Sequence, residues 1–274
     1  MSRRFGGAGL RRGLRAPPRV SAAPDLAAQI LAAVPSGWDA LGVFLARDAS
    51  DYTLVSGNLA TWVNHGTGAD ATQGVAAARP TYSATAVNGR PGFTADGGDS
   101  VVALALDSGA ATAYAMIALF QDTDTAARFV AGYGQLADAC MLLNTNPTGA
   151  VGAIDVLADG TSGGSSTTSR ARSDTSYPMA VPAVVTGLWD AGLSTDETSI
   201  RHAGVDVTDS RPNNSDNPGG LGVQDLTLFA RAGGNNMTGA LAAFVLLSGT
   251  GPISGATLTG IATIESLLAA HWGV

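Results

Sequence analysis

Lysine is absent from the 274 residues, and all 15 basic side chains are Arg. Glutamate is nearly absent too: of 22 acids, 20 are Asp and only Glu197 and Glu265 are Glu. Lys and Glu supply much of the surface of long helices, so a coiled-coil or long-helix protein is excluded. The missing Lys also removes a Walker-type phosphate loop and any Schiff-base mechanism. The lone cysteine, Cys140, sits in the apolar run Ala139-Cys140-Met141-Leu142-Leu143. It forms no intrachain disulfide and reads as a small buried hydrophobe, so the fold must stand on its core. No run is long enough to span a membrane; 240–247 is apolar but short. Arg11, Arg12 and Arg15 interrupt the stretch after the positive start, so it does not read as a secretory signal.

What is abundant points elsewhere. Gly numbers 36 and Pro 12, and 45% of residues are hydrophobic, enough for one large domain or two small ones. Short apolar runs at 41–45, 91–94, 101–104, 113–120, 128–131, 139–143, 150–157, 183–189, 198–202, 205–207, 226–230 and 241–247 alternate with turn clusters. Such runs predict an all-β fold, a two-sheet antiparallel sandwich. At the end, Leu258, Ile261, Ile264, Leu268 and Trp272 recur at helical spacing, which predicts an amphipathic helix over 257–271 docked on the sandwich. Near the start, Leu26, Ile30 and Val34 predict a short helix over 24–34, with Asp25 favouring its N-terminus.

Charge divides the chain. Residues 1–20 carry six Arg and no acid, whereas the whole chain carries −7, so the remainder carries −13. Residues 1–37 therefore read as a basic Gly/Pro-rich arm and 38–274 as the sandwich domain. The arm's Arg3, Arg4, Phe5, Leu10, Arg11, Arg12, Leu14 and Arg15 are candidate anchoring contacts that order on a protein partner. Six Arg would also bind phosphates. However, the arm has no interleaved aromatic beyond Phe5, and the acidic body repels nucleic acid.

Three stretches resemble the concanavalin A-like lectin/glucanase superfamily, in the laminin-G-like form common in bacterial surface and bacteriophage structural proteins. The first runs from Asp48-Ala49-Ser50-Asp51-Tyr52 through Leu59-Ala60-Thr61-Trp62-Val63-Asn64 to Ala71-Thr72-Gln73. The second is Ala78-Arg79-Pro80-Thr81-Tyr82 with Val87-Asn88-Gly89-Arg90-Pro91-Gly92-Phe93 and Asp96-Gly97-Gly98-Asp99. The third is the ending, a strand over 241–247 and a helix closing in His271-Trp272-Gly273-Val274. The resemblance implies a jelly roll, and sugar binding only secondarily, because the fold hosts many functions. Asn64 stands where the family often has Asp, and the usual Ser-Gly-Asn-Gly is reduced to His65-Gly66-Thr67-Gly68. The basic arm has no counterpart.

Read by their chemistry, Asn88-Gly89 suits a tight hairpin turn. Asp96 and Asp99 suit a carboxylate-capped turn, with a calcium site as the alternative; no other cofactor is expected. Trp62 and Trp272 read as core. Glucanases of this superfamily carry two Glu flanking an Asp on one strand face, and the two Glu here lie 68 residues apart. Asp122 and Asp124, Asp206 and Asp209, and Asp155 and Asp159 form no strand-borne triad. Gly160-Thr161-Ser162-Gly163-Gly164 matches a nucleophile elbow in letters but is followed by a polar loop, not a helix. His65, His202 and His271 lack zinc-ligand spacing; His271, in the last helix turn, suits a cation beside the helix dipole. Asn144, Asn146, Asn213, Asn214, Asp216, Asn235 and Asn236 are candidate glycan contacts, their alternative being turn chemistry. The expectation is a non-enzymatic virion structural protein, a head spike, decoration or fibre component. It would assemble in the host cytoplasm, be oligomeric in the particle, and act extracellularly on host surface polysaccharide. A ligand-free decoration protein and a glycan-cleaving enzyme are the alternatives.

Overall fold

The computed structural model describes residues 25–135, 139–146, 152–160, 168–173, 177, 180–213, 219–231 and 234–274, with Asn213 by its backbone alone. Helix α1 (Leu26–Ala33) leads into β1 (Trp38–Leu45), β2 (Tyr52–Val55), β3 (Asn58–Trp62), β4 (Ala71–Thr72), β5 (Thr81–Val87), β6 (Arg90–Asp96) and β7 (Val101–Asp107). Next come β8 (Ala113–Asp122), β9 (Arg128–Gly134), β10 (Cys140–Thr145), β11 (Ile154–Asp159), β12 (Ser169–Ser173) and β13 (Ala183–Asp190). The chain ends with β14 (Thr198–His202), β15 (Val205–Asp206), β16 (Thr208–Asn213), β17 (Val223–Leu228), β18 (Thr238–Gly249) and α2 (Gly255–Trp272).

The strands join into one antiparallel ladder that folds into two layers. The back layer runs β15–β14–β13–β8–β18, and β1 and β6 lie along successive parts of β18's free edge. The front layer runs β16–β12–β11–β10–β9–β17–β7–β4–β3. Hairpins β2–β3 and β5–β6 close the side between them.

The main core fills the space between the layers, around Phe44, Trp62, Phe93, Tyr114, Phe120, Tyr133 and Trp189. A second core lies behind the back layer, where Ala115, Ile117, Leu119, Val245 and Leu247 meet Ile30 of α1 and Ile261, Ile264, Leu268 and Trp272 of α2. Each such large side chain contributes about 1.5–3 kcal/mol on burial. Strands β8 and β18 are covered on both faces, which explains their unbroken apolar sequence. The helix expected within the arm thus packs into the body through Leu26, Ala27 and Ile30. Residues 1–24 lie outside the described residues.

Local chemistry sets the turns and ends. Asn88 and Gly89 take φ of 48° and 74°, the expected tight turn between β5 and β6. Asn88 also donates through Nδ2 to the carbonyls of Trp272 (3.0 Å) and Gly273 (2.6 Å), tying the hairpin to the end of α2. Trp62 donates from Nε1 to the Leu45 carbonyl at 3.0 Å and Trp272 to that of Pro91 at 3.1 Å; both are buried as expected.

Other elements depart from the sequence reading. Asp25 makes no side-chain cap on α1; its carboxylate pairs instead with Arg47. His271 stands in the last turn of α2, where burial, followed by the Arg90 charge, pushes it below its ordinary value. Strands β2, β5, β12 and β16 have no apolar run to announce them. In β12, Ala171 alone reaches the main core, while Arg170 and Arg172 face outward.

Candidate functional site

A groove of about 570 Å³ lies on the outer face of the front layer, within the size range of small-ligand sites. Alternation along three neighbouring strands builds it. On β17, Leu226 and Leu228 turn into the core, leaving Asp225 and Thr227 outside. Thr227 lies between Val102 of β7 and Gly132 of β9. Gly132 and Gly134 keep the β9 side bare. A Cβ on Gly132 would meet Leu142 Cδ2 at 2.9 Å and Arg231 Cα at 3.4 Å. Gly134 has φ of 87°, and a Cβ there would run into the Ala139 carbonyl.

The far wall is built from Phe229, Ala230 and Arg231 together with residues 234–237. Phe229 has φ of 65°, a strained conformation for a bulky residue, and is held from both sides. Its N–H donates to the Val130 carbonyl at 2.8 Å and its carbonyl accepts from Met237 N–H at 2.6 Å. Short bridges pair Arg231 with Gly234 and Phe129 with Asn236. These contacts bring Arg231 and Asn236 to the groove, where Gln135, Gln224, Asp225 and Ser100 join them.

The polar groups differ in how far they are already engaged. Asp225 Oδ1 accepts from Ala105 N–H at 2.8 Å, and Asn236 Nδ2 donates to the Asp99 carbonyl at 2.8 Å. Gln224 Nε2 donates to the Leu221 carbonyl at 3.0 Å. The Arg231 guanidinium carbon sits 4.9 Å from the Phe129 ring centre, and its Nε is buried without a hydrogen-bond partner. Beside them, Phe129, Cys140 and Leu142 form a small apolar cluster with Leu157. Burial, with the Asp159 charge adding, pushes the Cys140 thiol up to about 12, against the pull of Arg231.

The same face continues across β10, β11 and β12 with a row in register: Asn144, Asp155 and Arg172. Arg170 pairs with Asp155, its Nε donating to Oδ2 at 2.6 Å. Asn144 Oδ1, Asp155 Oδ1 and Arg172 Nε are buried without a hydrogen-bond partner, and Arg172 Nε stands 3.7 Å from Asp155 Oδ1.

The glycan candidates from the sequence scatter. Asn236 lines the groove and Asn235 is exposed beside it. Asn144 is buried in the row just described. Asn146 is fully buried and ties a loop: Nδ2 donates to Asp122 Oδ2 (3.2 Å) and the Asp124 carbonyl (2.6 Å), and Oδ1 accepts from Gly152 N–H (2.7 Å). Asn146 presents no part of its amide to solvent, and Asn144 hides its Oδ1. Asn213 ends β16, while Asn214 and Asp216 lie outside the described residues, as do residues 161–164 and all the anchoring candidates from Arg3 to Arg15.

Asp96 and Asp99 do form a capped turn, accepting from Gly98 N–H at 3.0 Å and Asp96 N–H at 3.1 Å. Among the described residues no cluster of three His, Cys, Asp or Glu could hold a metal ion. Asn64 organises its loop: Oδ1 accepts from Val43 and Gly66 N–H, both at 2.8 Å, and Nδ2 donates to the Leu41 carbonyl at 2.9 Å. The sequence reading missed Gln135, Gln224, Asp225, Thr227 and Arg231. The signal available for them was the alternation Asp225-Leu226-Thr227-Leu228 and the paired glycines around Tyr133.

No family model and no curated protein matches the chain. Among solved structures it is similar to domain 4 of AbnA, an extracellular GH43 arabinanase from Geobacillus stearothermophilus, in complex with arabinotriose. That likeness has 11% identity and a TM-score of 0.49, covering 82% of this chain and all of that one. It is also similar to the Ruminococcus gnavus IT-sialidase CBM40 bound to α2,3-sialyllactose, at 13% identity and a TM-score of 0.44, covering 63% of this chain and 96% of that one. The Trypanosoma rangeli sialidase in complex with the inhibitor DANA matches at 12% identity and a TM-score of 0.49, covering 81% of this chain and 32% of that one. All three TM-scores fall below 0.5, and the jelly-roll assignment rests on the strand ladder itself.

Proposed function

We propose that this protein is a non-catalytic glycan-binding module whose ligand lies in the groove on the outer face of the front layer. The groove itself carries the reading. It is preshaped by Gly132, Gly134 and the bonds that hold Phe229, Arg231 and Asn236, and it offers amide, hydroxyl, carboxylate and guanidinium groups suited to sugar hydroxyls. Its ligand role replaces the scattered asparagines with one coherent surface that keeps Asn236.

The fate of the acids supports a binding role over cleavage. Glu197 accepts from Trp189 Nε1 at 3.1 Å and Glu265 is held by Thr186 and Arg201, so both Glu are structural. Asp155 and Asp159 share a face of β11 four residues apart, roughly 13 Å along a strand. Glycosidase carboxyl pairs stand about 5–9.5 Å apart. Within the groove, Asp225 is the single carboxylate among its described lining residues.

The module is carried on a virion, with residues 1–24 as its anchor; the division between the basic arm and the acidic body motivates this. The test is a glycan array and calorimetry on the full chain, with Val102→Trp to fill the groove from its solvent side. Binding that this variant abolishes, at unchanged melting temperature, is the expected result. No signal at high concentration, with intact particle assembly, would favour a ligand-free decoration protein. Deleting residues 1–24 should prevent incorporation into particles; retained incorporation would refute the anchor.

A further inference from the structure

Among the described residues, Arg47, Arg128, Arg170, Arg172, Arg201 and Arg211 each stand within 4.0 Å of a carboxylate. Arg79 donates to the carbonyls of Gln73 and Gly74, and Arg90 is exposed at a turn. Arg231 is different: it is partly buried in the groove, with no carboxylate within that distance and no acceptor for its buried Nε among the described residues. A buried donor left unmade is costly, so natural proteins keep few without a reason.

The side chain is also poised. Its backbone is bridged to Gly234, and Gly132 leaves room for it on the sheet. The guanidinium carbon makes a cation–π contact with the Phe129 ring and leaves the terminal N–H groups to donate. The Nη1–Nη2 edge is a two-point donor that matches the paired oxygens of an anionic group. The groove's carboxylate does not compete, because Asp225 is engaged by the Ala105 amide on another strand. The −13 body repels anions at long range, but salt screens such fields beyond about 8 Å under physiological conditions, so the groove's own cation governs contact.

We propose that Arg231 receives an acidic substituent of the bound glycan, carboxylate or sulfate, as a two-point contact in the groove. This rests on the groove being the glycan site. Calorimetry on the full chain would compare a tetra-uronide, its carboxyl-reduced neutral counterpart and a sulfated neutral oligosaccharide. An acidic ligand should bind at least tenfold more tightly than the reduced one. Arg231→Gln should bring acidic and neutral forms to the same affinity, and Arg231→Lys, which keeps the charge but not the fork, should restore only part, both with unchanged melting temperatures. Preference for the uronide identifies a carboxylate, and preference for the sulfated sugar identifies a sulfate. Equal affinity for acidic and reduced forms, or indifference to Arg231→Gln, overturns the proposal. If a neutral glycan then still binds and Val102→Trp blocks it, the groove reading stands alone. If no glycan of either class binds, both fall.

Discussion

Glu265 offers the sharpest test of the packing argument. It sits in the apolar face of α2, 3% exposed, and accepts from Thr186 Oγ1 at 2.7 Å, Arg201 Nε at 3.0 Å and Arg201 Nη2 at 3.1 Å. These bonds clamp α2 to β13 and β14. Glu265→Ala leaves the Arg201 cation largely buried without its counterion and Thr186 without its acceptor. Breaking a buried pair from one side costs about 3–5 kcal/mol. A domain of this size loses about 2–4 °C of melting temperature per kcal/mol, so a drop of roughly 10 °C is expected. Replacing the set together, Thr186→Val with Arg201→Met and Glu265→Leu, removes all three polar partners and should recover most of that loss. Urea denaturation with melting curves measures both. A single-variant cost below about 1 kcal/mol would refute the reasoning, as would a triple variant no more stable than Glu265→Ala. Glycan binding should stay unchanged throughout, because α2 covers the layer opposite the groove.

Other expectations follow from single groups. Burial works to raise the Asp51 carboxyl, but hydrogen bonds from His65, the Asp48 amide and Arg47 outweigh it and hold it below 3.8. Its contribution is therefore full above 3.8 and lost as pH falls through the lower folded value. Asp51→Asn should cost about 2 kcal/mol at pH 7 by denaturant titration, and the gap to wild type should shrink on acidification. Cys140, buried and held neutral, should resist a thiol-titrating reagent at pH 8 and react fully in denaturant; a fast native reaction would contradict its placement. Asn88→Gly preserves the turn's left-handed backbone yet drops both bonds to the end of α2, and calorimetric melting should register about 1–2 kcal/mol.

What the sequence alone determined were features that depend on near neighbours. The period of Ile261, Ile264, Leu268 and Trp272 places α2, Asn88-Gly89 places a hairpin, and the continuous apolar runs at 113–120 and 241–247 place β8 and β18. Each follows from local geometry, because a helix face, a left-handed turn or an apolar strand needs certain residues within a few positions. Strands such as β12 stayed illegible, since their outward Arg170 and Arg172 are stabilised by Asp155 on another strand rather than by an apolar run. The same reason kept the site hidden. Whether Asn146 meets solvent or Asp122, and whether Arg231 meets a carboxylate or Phe129, depends on which strand the ladder sets opposite. Strand pairing settles that, because cross-strand neighbours lie tens of residues apart along the chain. It turned a dispersed stock of polar turn residues into one groove with a single unpaired cation among its described lining residues.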